Sequence, residues 1–256
     1  MRIACILAGQ LRTFDNPYVV RSWKKFKETF NAEIFGCFWS NRGNSAYGSI
    51  PVEHDVNQVL KEDYVKSILN TDYVKLYDYD NFLSNIDYNY KCFLGQELSQ
   101  CIIPHSYLRY EAWQLYLKFK ELIDADVFII TRPDLIFLRN INFECLDMNF
   151  LWHQNTQVYH PDRVYDMMMV SSEKNTETLC SFFNDIETSL ESIRRPLHND
   201  LKMLDSCRVY YNYLNMKGVE VKSLDYLHAD CFRVNKDIEN YSNAYLSGEE
   251  LWGTKL

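Results

Sequence analysis

A chain of 256 residues, 47% hydrophobic and 24% charged, has interior enough for one large domain or two small ones and the balance of an ordinary globular protein. Its formal charge of -8 argues against a nucleic-acid or anionic-membrane partner, so a phosphorylated ligand would have to be met by local arginines or a metal ion. No apolar stretch approaches the roughly 20 residues that span a bilayer, Met1 leads straight into a strand-like run, and the eight cysteines include no C-x-x-C pair; the expectation is a soluble, cytoplasmic protein with buried free thiols.

Arg2 to Ala8 forms a short apolar run, followed by Gly9-Gln10-Leu11-Arg12-Thr13, a strand and then a turn whose glycine permits close backbone approach to a ligand. Asn16-Pro17 opens a helix carrying Val19, Val20, Trp23, Phe26 and Phe30 at helical spacing, and Glu33 to Trp39 is a second strand. Strand, helix and strand in so short a span make a βαβ unit and favour a parallel sheet. Val56, Val59, Leu60, Tyr64 and Ile68 mark a helix, Tyr73 to Tyr77 a third strand, and Asp78 to Gln100 an irregular excursion. His105 to Ile123 is the clearest helix and leads into Val127-Phe-Ile-Ile-Thr131, a strand buried on both faces that Pro133 forces to stop at Arg132. Phe150 to His153 and Tyr165 to Val170 follow as strands, antiparallel after the core of the sheet. Thr176 to Ser192 and Asp200 to Met216 follow as helices, the second ended by Gly218, and Val219 to Leu224 as a last strand. The tail from Asp225 has little periodicity. The expected fold is α/β, a mostly parallel central sheet flanked by helices with a smaller antiparallel addition in the C-terminal half, in a single domain over residues 1–256.

Three features fall on one edge of that sheet. The turn Gly9, Gln10, Arg12 and Thr13 follows the first strand, so its amides and Arg12 can meet a phosphate or a base, although it is neither G-x-G-x-x-G nor a Walker loop. Arg132-Pro133-Asp134 ends the strand Val127–Thr131 at the carboxyl edge, where open α/β sheets place their ligands; a turn-closing ion pair is the plainer alternative. A carboxylate beside a diphosphate is useful only with a hard cation such as Mg²⁺ or Mn²⁺ between them, while an arginine fork neutralises phosphate oxygens directly. His198-Asn199-Asp200 starts a helix, where Asp200 serves either as N-cap or as a general base on an attacking hydroxyl. Arg109, on the helix before the motif strand, either reaches a nucleotide or is a solvated charge. Trp39, Trp113 and Trp152 either stack on sugar faces or belong to the core.

The I-L-A-G-Q-x-R-T-F strand and turn (Ile6–Phe14), a second strand ending near Phe38-Trp39-Ser40, and a long helix feeding V-F-I-I-T-R-P-D-L-I-F resemble a group of bacterial and viral glycosyltransferase-like proteins of lipopolysaccharide, capsule or virus-encoded glycans. The resemblance covers roughly the first 140 residues, and the rest by order of elements. It implies a GT-A-like fold, residues 1–140 holding a nucleotide-sugar donor and 141–256 a glycan acceptor, in the host cytoplasm if the chain is virus-encoded. Where the family carries Asp-x-Asp for metal and diphosphate, this chain has Arg132-Pro133-Asp134, so only Asp134 matches as a metal ligand. His228 matches the histidine that often completes the Mn²⁺ or Mg²⁺ site. Asp200 matches the base of inverting members, with Asp166 as acceptor ligand or competing base.

The leading expectation is therefore an inverting, metal-assisted glycosyltransferase, in which Asp134→Ala abolishes turnover and leaves the fold intact. A non-catalytic nucleotide-sugar or glycan-binding protein is favoured by the missing first carboxylate. A nucleotidyltransferase would want two clustered carboxylates and a basic phosphate loop.

Overall fold

The short apolar runs of the N-terminal half alternate their side chains between two helical layers, and that alternation builds the sheet. The computed structural model describes residues 1–43, 57–86, 96–154, 164, 167–194, 206–224 and 229–231. The chain runs through β1 (Ile3–Gly9), α1 (Pro17–Phe30), β2 (Ala32–Trp39), α2 (Glu62–Leu69), β3 (Val74–Tyr77), α3 (Tyr79–Asn85), α4 (Gln96–Ile123), β4 (Val127–Thr131) and β5 (Leu135–Phe137). It continues through β6 (Leu151–Gln154), β7 (Met168–Ser171), α5 (Glu173–Cys180), α6 (Phe182–Arg194), α7 (Ser206–Met216), β8 (Val221–Leu224) and β9 (Ala229–Cys231).

Seven strands form one mixed, mostly parallel sheet in the order β3-β2-β1-β4-β7-β6-β8. Strands β1 to β4 are parallel, β7 is antiparallel to both β4 and β6, and β8 is parallel to β6. The fold is thus the expected α/β arrangement with an antiparallel addition. A separate two-stranded ribbon pairs β5 with β9. The order reverses direction at β1: the chain first steps outward to β2 and β3, then returns past β1 to lay down β4. The carboxyl ends of β1 and β4 therefore flank the switch point, where neighbouring connections diverge and leave a crevice.

Ile3, Cys5 and Leu7 of β1 and Val127 and Ile129 of β4 pack in one layer with Val19, Trp23 and Phe26 of α1 and Val65 and Leu69 of α2. The alternate residues, Ala4, Ile6, Ala8, Phe128 and Ile130, pack in the other with Leu108, Ala112, Trp113 and Tyr116 of α4. Period-two burial on both faces is what a continuous apolar run produces in a strand covered twice. Cys5, Cys37 and Cys180 are buried free thiols, and among the described residues no helix is long and apolar enough to cross a membrane.

The segment after β4 is tied to α1 at two points. The Trp23 indole Nε1 donates to the Pro133 carbonyl at 3.1 Å, and the Phe137 amide donates to Ser22 Oγ at 2.7 Å. Phe137 also stacks on Phe26 with centroids 4.1 Å apart. The turn that carries Arg132 and Asp134 is thus fixed by the sheet on one side and by α1 on the other.

Several boundaries differ from the sequence reading. Within the expected excursion 78–100 lies α3, capped by Asp78, whose carboxylate accepts from the Asn81 amide at 2.7 Å; it buries no side chain, so it leaves no apolar period in the sequence. Helix α4 is described from Gln96, with Pro104 inside it rather than before it. The helix expected from Val56 begins at Glu62, because Val59 bridges to Asn41 instead. One helix expected over 176–192 is two, α5 and α6, broken at Ser181. The strand expected over 165–170 is Met168–Ser171, and part of the unpatterned tail supplies β9. The helix expected from Asp200 is described from Ser206.

Two expected outcomes follow. Ser22→Ala leaves the buried Phe137 amide without its acceptor and lowers the unfolding free energy by about 1–3 kcal/mol, read from urea denaturation. His153 of β6 is buried, and burial holds its ring below the ordinary value of about 6.5. With the folded value depressed, the unfolded chain takes up the proton first, so stability present at neutral pH declines as pH falls below about 6.5. Denaturation series across that range show the decline in the native protein and a flatter profile in His153→Gln.

Candidate active site at the sheet switch point

The site grows from two turns at adjacent strand ends. Leu7 pairs with Thr131 across β1 and β4, so the turn after β1 and the turn after β4 leave the sheet side by side. Gly9 has φ +124°, a conformation open to glycine and strained for other residues, and it swings the chain out of the sheet. Leu11 and Phe14 then turn inward to the α1 layer and anchor the loop, leaving Gln10, Arg12 and Thr13 partly exposed. Arg12 sits at φ 25°, a positive value rare for a residue with a side chain.

What holds Arg12 there is Arg42, from the loop after β2. The Arg12 amide donates to the Arg42 carbonyl at 2.9 Å, and Arg42 Nε donates back to the Arg12 carbonyl at 2.8 Å. Arg42 is itself fixed by an ion pair to Asp15 and a hydrogen bond to Gln58 Oε1 at 2.8 Å, while the Tyr64 hydroxyl donates to Asp15 at 2.9 Å. Burial first, and then the hydrogen bond to Asp15, push the Tyr64 phenol upward, so it stays a neutral donor. Gln10 folds back so that its Oε1 accepts from Arg12 Nε at 3.1 Å, its side chain lying against Gly43, where a Cβ would come within 2.5 Å of it.

The turn after β4 carries the second half. Asp134 is 1% exposed, and both of its oxygens accept from Arg132: Nε to Oδ1 at 3.0 Å and Nη2 to Oδ2 at 2.8 Å. The Arg12 guanidinium approaches the same Oδ2 at 3.8 Å. Asp134 is thus a shared counter-ion between two arginines from two different turns. Arg12 is the more exposed of the pair, at 24% against 14%. Among the described residues these ion pairs set three cations, Arg12, Arg42 and Arg132, against two anions, Asp15 and Asp134, in a protein of formal charge -8. A planar guanidinium pair at the switch point of the sheet is suited to a phosphate or diphosphate.

Gly9, Gln10, Arg12, Thr13, Arg132 and Asp134 are accordingly brought together. Arg109 is not with them. It is 1% exposed on α4, its guanidinium lies 4.7 Å from the centre of the Tyr210 ring, and Nε and Nη1 have no hydrogen-bond partner among the described residues. It is therefore no solvated charge, and it lies with Tyr210 of α7 and Cys180 of α5 rather than with the two turns. Asp166, Asp200 and His228 lie outside the described residues. Trp39 and Trp113 are core residues, at 4% and 1% exposed, and Trp152 is partly buried.

The metal expectation does not fit Asp134 as it is placed. A divalent cation needs an open approach to the carboxylate and no competing charge, and here Asp134 is 1% exposed, Arg132 bonds each of its oxygens, and Arg12 stands beside one of them. Among the described residues no three histidine, cysteine or acidic side chains gather in a metal-binding group. Sequence reasoning missed Arg42 and Asp15, because their role arises from a contact between the loops after β1 and β2 that no local pattern announces.

No family model matches the sequence, and no curated protein matches it. Among solved structures, apo glycosyltransferase GlyE of Streptococcus pneumoniae TIGR4 is similar at 12% identity over 88% of this chain and 44% of that one, with a TM-score of 0.38. A second GlyE structure aligns at 11% identity over 88% and 45%, with a TM-score of 0.34. A nucleoside-diphosphate-sugar pyrophosphorylase of Vibrio cholerae RC9 aligns at 11% over 94% and 99%, with a TM-score of 0.41. The chain spans less than half the length of the GlyE structures, and likeness at this level fixes no residue's role.

The buried pair adds a stability cost to what is expected of Asp134→Ala. Removing the carboxylate takes from the largely buried Arg132 the acceptor of its two-pronged contact and costs about 3–5 kcal/mol, so the variant loses stability as well as any ligand. Replacing both partners, as Arg132→Met with Asp134→Leu, restores much of that loss; the two urea midpoints compared with wild type show it.

Proposed function

We propose that the protein is a glycosyltransferase of GT-A-like architecture that binds a nucleotide-diphosphate sugar across the carboxyl ends of β1 and β4. One observation carries the reading: Arg12 and Arg132, from turns far apart in sequence, converge on one buried carboxylate at the switch point of the sheet. Such a pair meets a diphosphate with directed donors, and Asp134 then acts as the group that positions both forks. The turn Gly9–Thr13 supplies backbone groups to the nucleotide. The donor's negative charge is met by the guanidiniums, and no step is assigned to a metal held by Asp134.

In the reaction proposed, an acceptor hydroxyl oxygen attacks the anomeric carbon and the bond from that carbon to the diphosphate oxygen breaks. The nucleoside diphosphate leaves with the bonding pair, and the hydroxyl proton passes to a carboxylate. Residues 141–256 are assigned the acceptor, and Asp200, with Asp166 as the alternative, is assigned the proton; both assignments come from chain order and the family resemblance. Holding donor and acceptor in line and stabilising the departing diphosphate would supply most of the acceleration.

Titration calorimetry with UDP, GDP and their hexose conjugates tests the donor site. Arg12→Ala removes one charge-assisted contact of about 1.5–3 kcal/mol, so the affinity of the preferred nucleotide falls by roughly ten- to a hundredfold while the melting temperature changes little. Binding in EDTA comparable to that in Mn²⁺ is the expected result for a site charged by arginine. Unaltered binding in Arg12→Ala would sink the assignment, and binding without transfer or hydrolysis would favour a non-catalytic nucleotide-sugar-binding protein.

A further inference from the structure

A second concavity lies on the same edge of the sheet, two strands away from the arginine pair. Tyr77 ends β3 in register with Trp39 of β2, and Phe38 of β2 is in register with Gly9 of β1. Strands stand about 4.8 Å apart, which places Tyr77 roughly 10 Å across the edge from the first turn. There Tyr77, Asp78, Asn81, Phe82, Asn85 and Ile86 face Tyr107 of α4 and Phe183 of α6 around a cleft of about 400 Å³.

Its walls are aromatic and half-buried. Phe82 stacks on Tyr107 at 4.7 Å, Phe183 meets Tyr107 edge-on at 5.2 Å, and Tyr77 does so at 5.5 Å. Its rim is polar and oriented. The Asp78 carboxylate caps α3, and Asn85 Nδ2 donates to the Asn81 carbonyl at 2.7 Å and to Asn81 Oδ1 at 3.1 Å. Those bonds turn the two side chains toward each other on successive turns of α3, and among the described residues the Asn81 amide nitrogen and the Asn85 amide oxygen have no partner. Tyr77 donates its hydroxyl to Glu111, whereas the Tyr107 hydroxyl has no partner among the described residues. Burial, then the charge of Glu111, push the Tyr107 phenol up to about 12, which keeps it a neutral donor and acceptor.

Among the described residues the lining holds one carboxylate and no cation, a set that disfavours phosphate. What it offers is ring faces for apolar C–H surface and amide and phenol groups for hydroxyls, in a volume typical of small-ligand sites. We infer that this cleft binds the pyranose ring of a neutral saccharide, its C–H surface against the aromatic wall built around Tyr107 and its hydroxyls on Asn81, Asn85 and the Tyr107 hydroxyl. The inference stands apart from the donor reading, since a saccharide binds here whether or not transfer occurs.

An array of neutral gluco-, galacto-, manno-, xylo- and N-acetylglucosamine oligosaccharides, probed with the full chain, tests it. The wild type is retained on at least one series. Asn81→Ala with Asn85→Ala, which alters only exposed side chains, and Tyr107→Phe, which keeps the ring, each weaken retention about fivefold or more at unchanged melting temperature. Arg12→Ala retains its saccharide while losing nucleotide, so the two sites fail separately. The inference is overturned by no retention on any series, by equal retention of the variants, or by displacement of the saccharide with free uridine, which would make the cleft a nucleoside pocket.

Discussion

A carboxylate as deeply buried as Asp134 persists only beside a cation that satisfies both of its oxygens, and Arg132 does this through a two-pronged contact across a single proline. The rest of the site depends on that pair. It fixes the plane of the Arg132 fork, and it draws Arg12 from the neighbouring turn to within 3.8 Å of the same oxygen. Were Asp134 exposed, the two arginines would repel each other and spread apart. Its burial makes them a preorganised double cation, which is the arrangement a diphosphate needs.

The burial of Asp134 is in turn a product of topology. Because β4 returns to lie beside β1 after the chain has travelled out to β3, the two turns emerge at the point where their connections part. The layer containing α1 then closes over the second turn, through the indole of Trp23, the hydroxyl of Ser22 and the stacked rings of Phe26 and Phe137. Arg42 performs the matching service for the first turn and holds Arg12 in a backbone conformation it would not adopt alone. Packing in one helical layer thereby sets the geometry of charge at the edge of the sheet.

The same edge carries a second, differently built concavity. Around Tyr107 the rings are shared between α3, α4 and α6, and the rim is made of amides instead of guanidiniums. A charged site and a neutral aromatic site lie roughly two strands apart, the two kinds of surface that the proposed sugar transfer calls for.

Strand burial was legible in the sequence because a strand covered on both faces needs an unbroken apolar run, and Ile3–Ala8 and Val127–Ile130 are such runs. The stop at Pro133 was legible because proline has no amide to give the ladder. Helix α3 was not, since it buries nothing, and the break between α5 and α6 was hidden because apolar spacing continues across Ser181. By itself the sequence determined the α/β order, the strand ends at Gly9 and Thr131, and the arginines and carboxylate placed just beyond them. Only the tertiary structure decided what Asp134 is for. The turn-closing pair with Arg132 is local and was open in the sequence, whereas the approach of Arg12 to 3.8 Å, between residues more than a hundred positions apart, follows from which strands lie side by side, a matter of packing that no local pattern records.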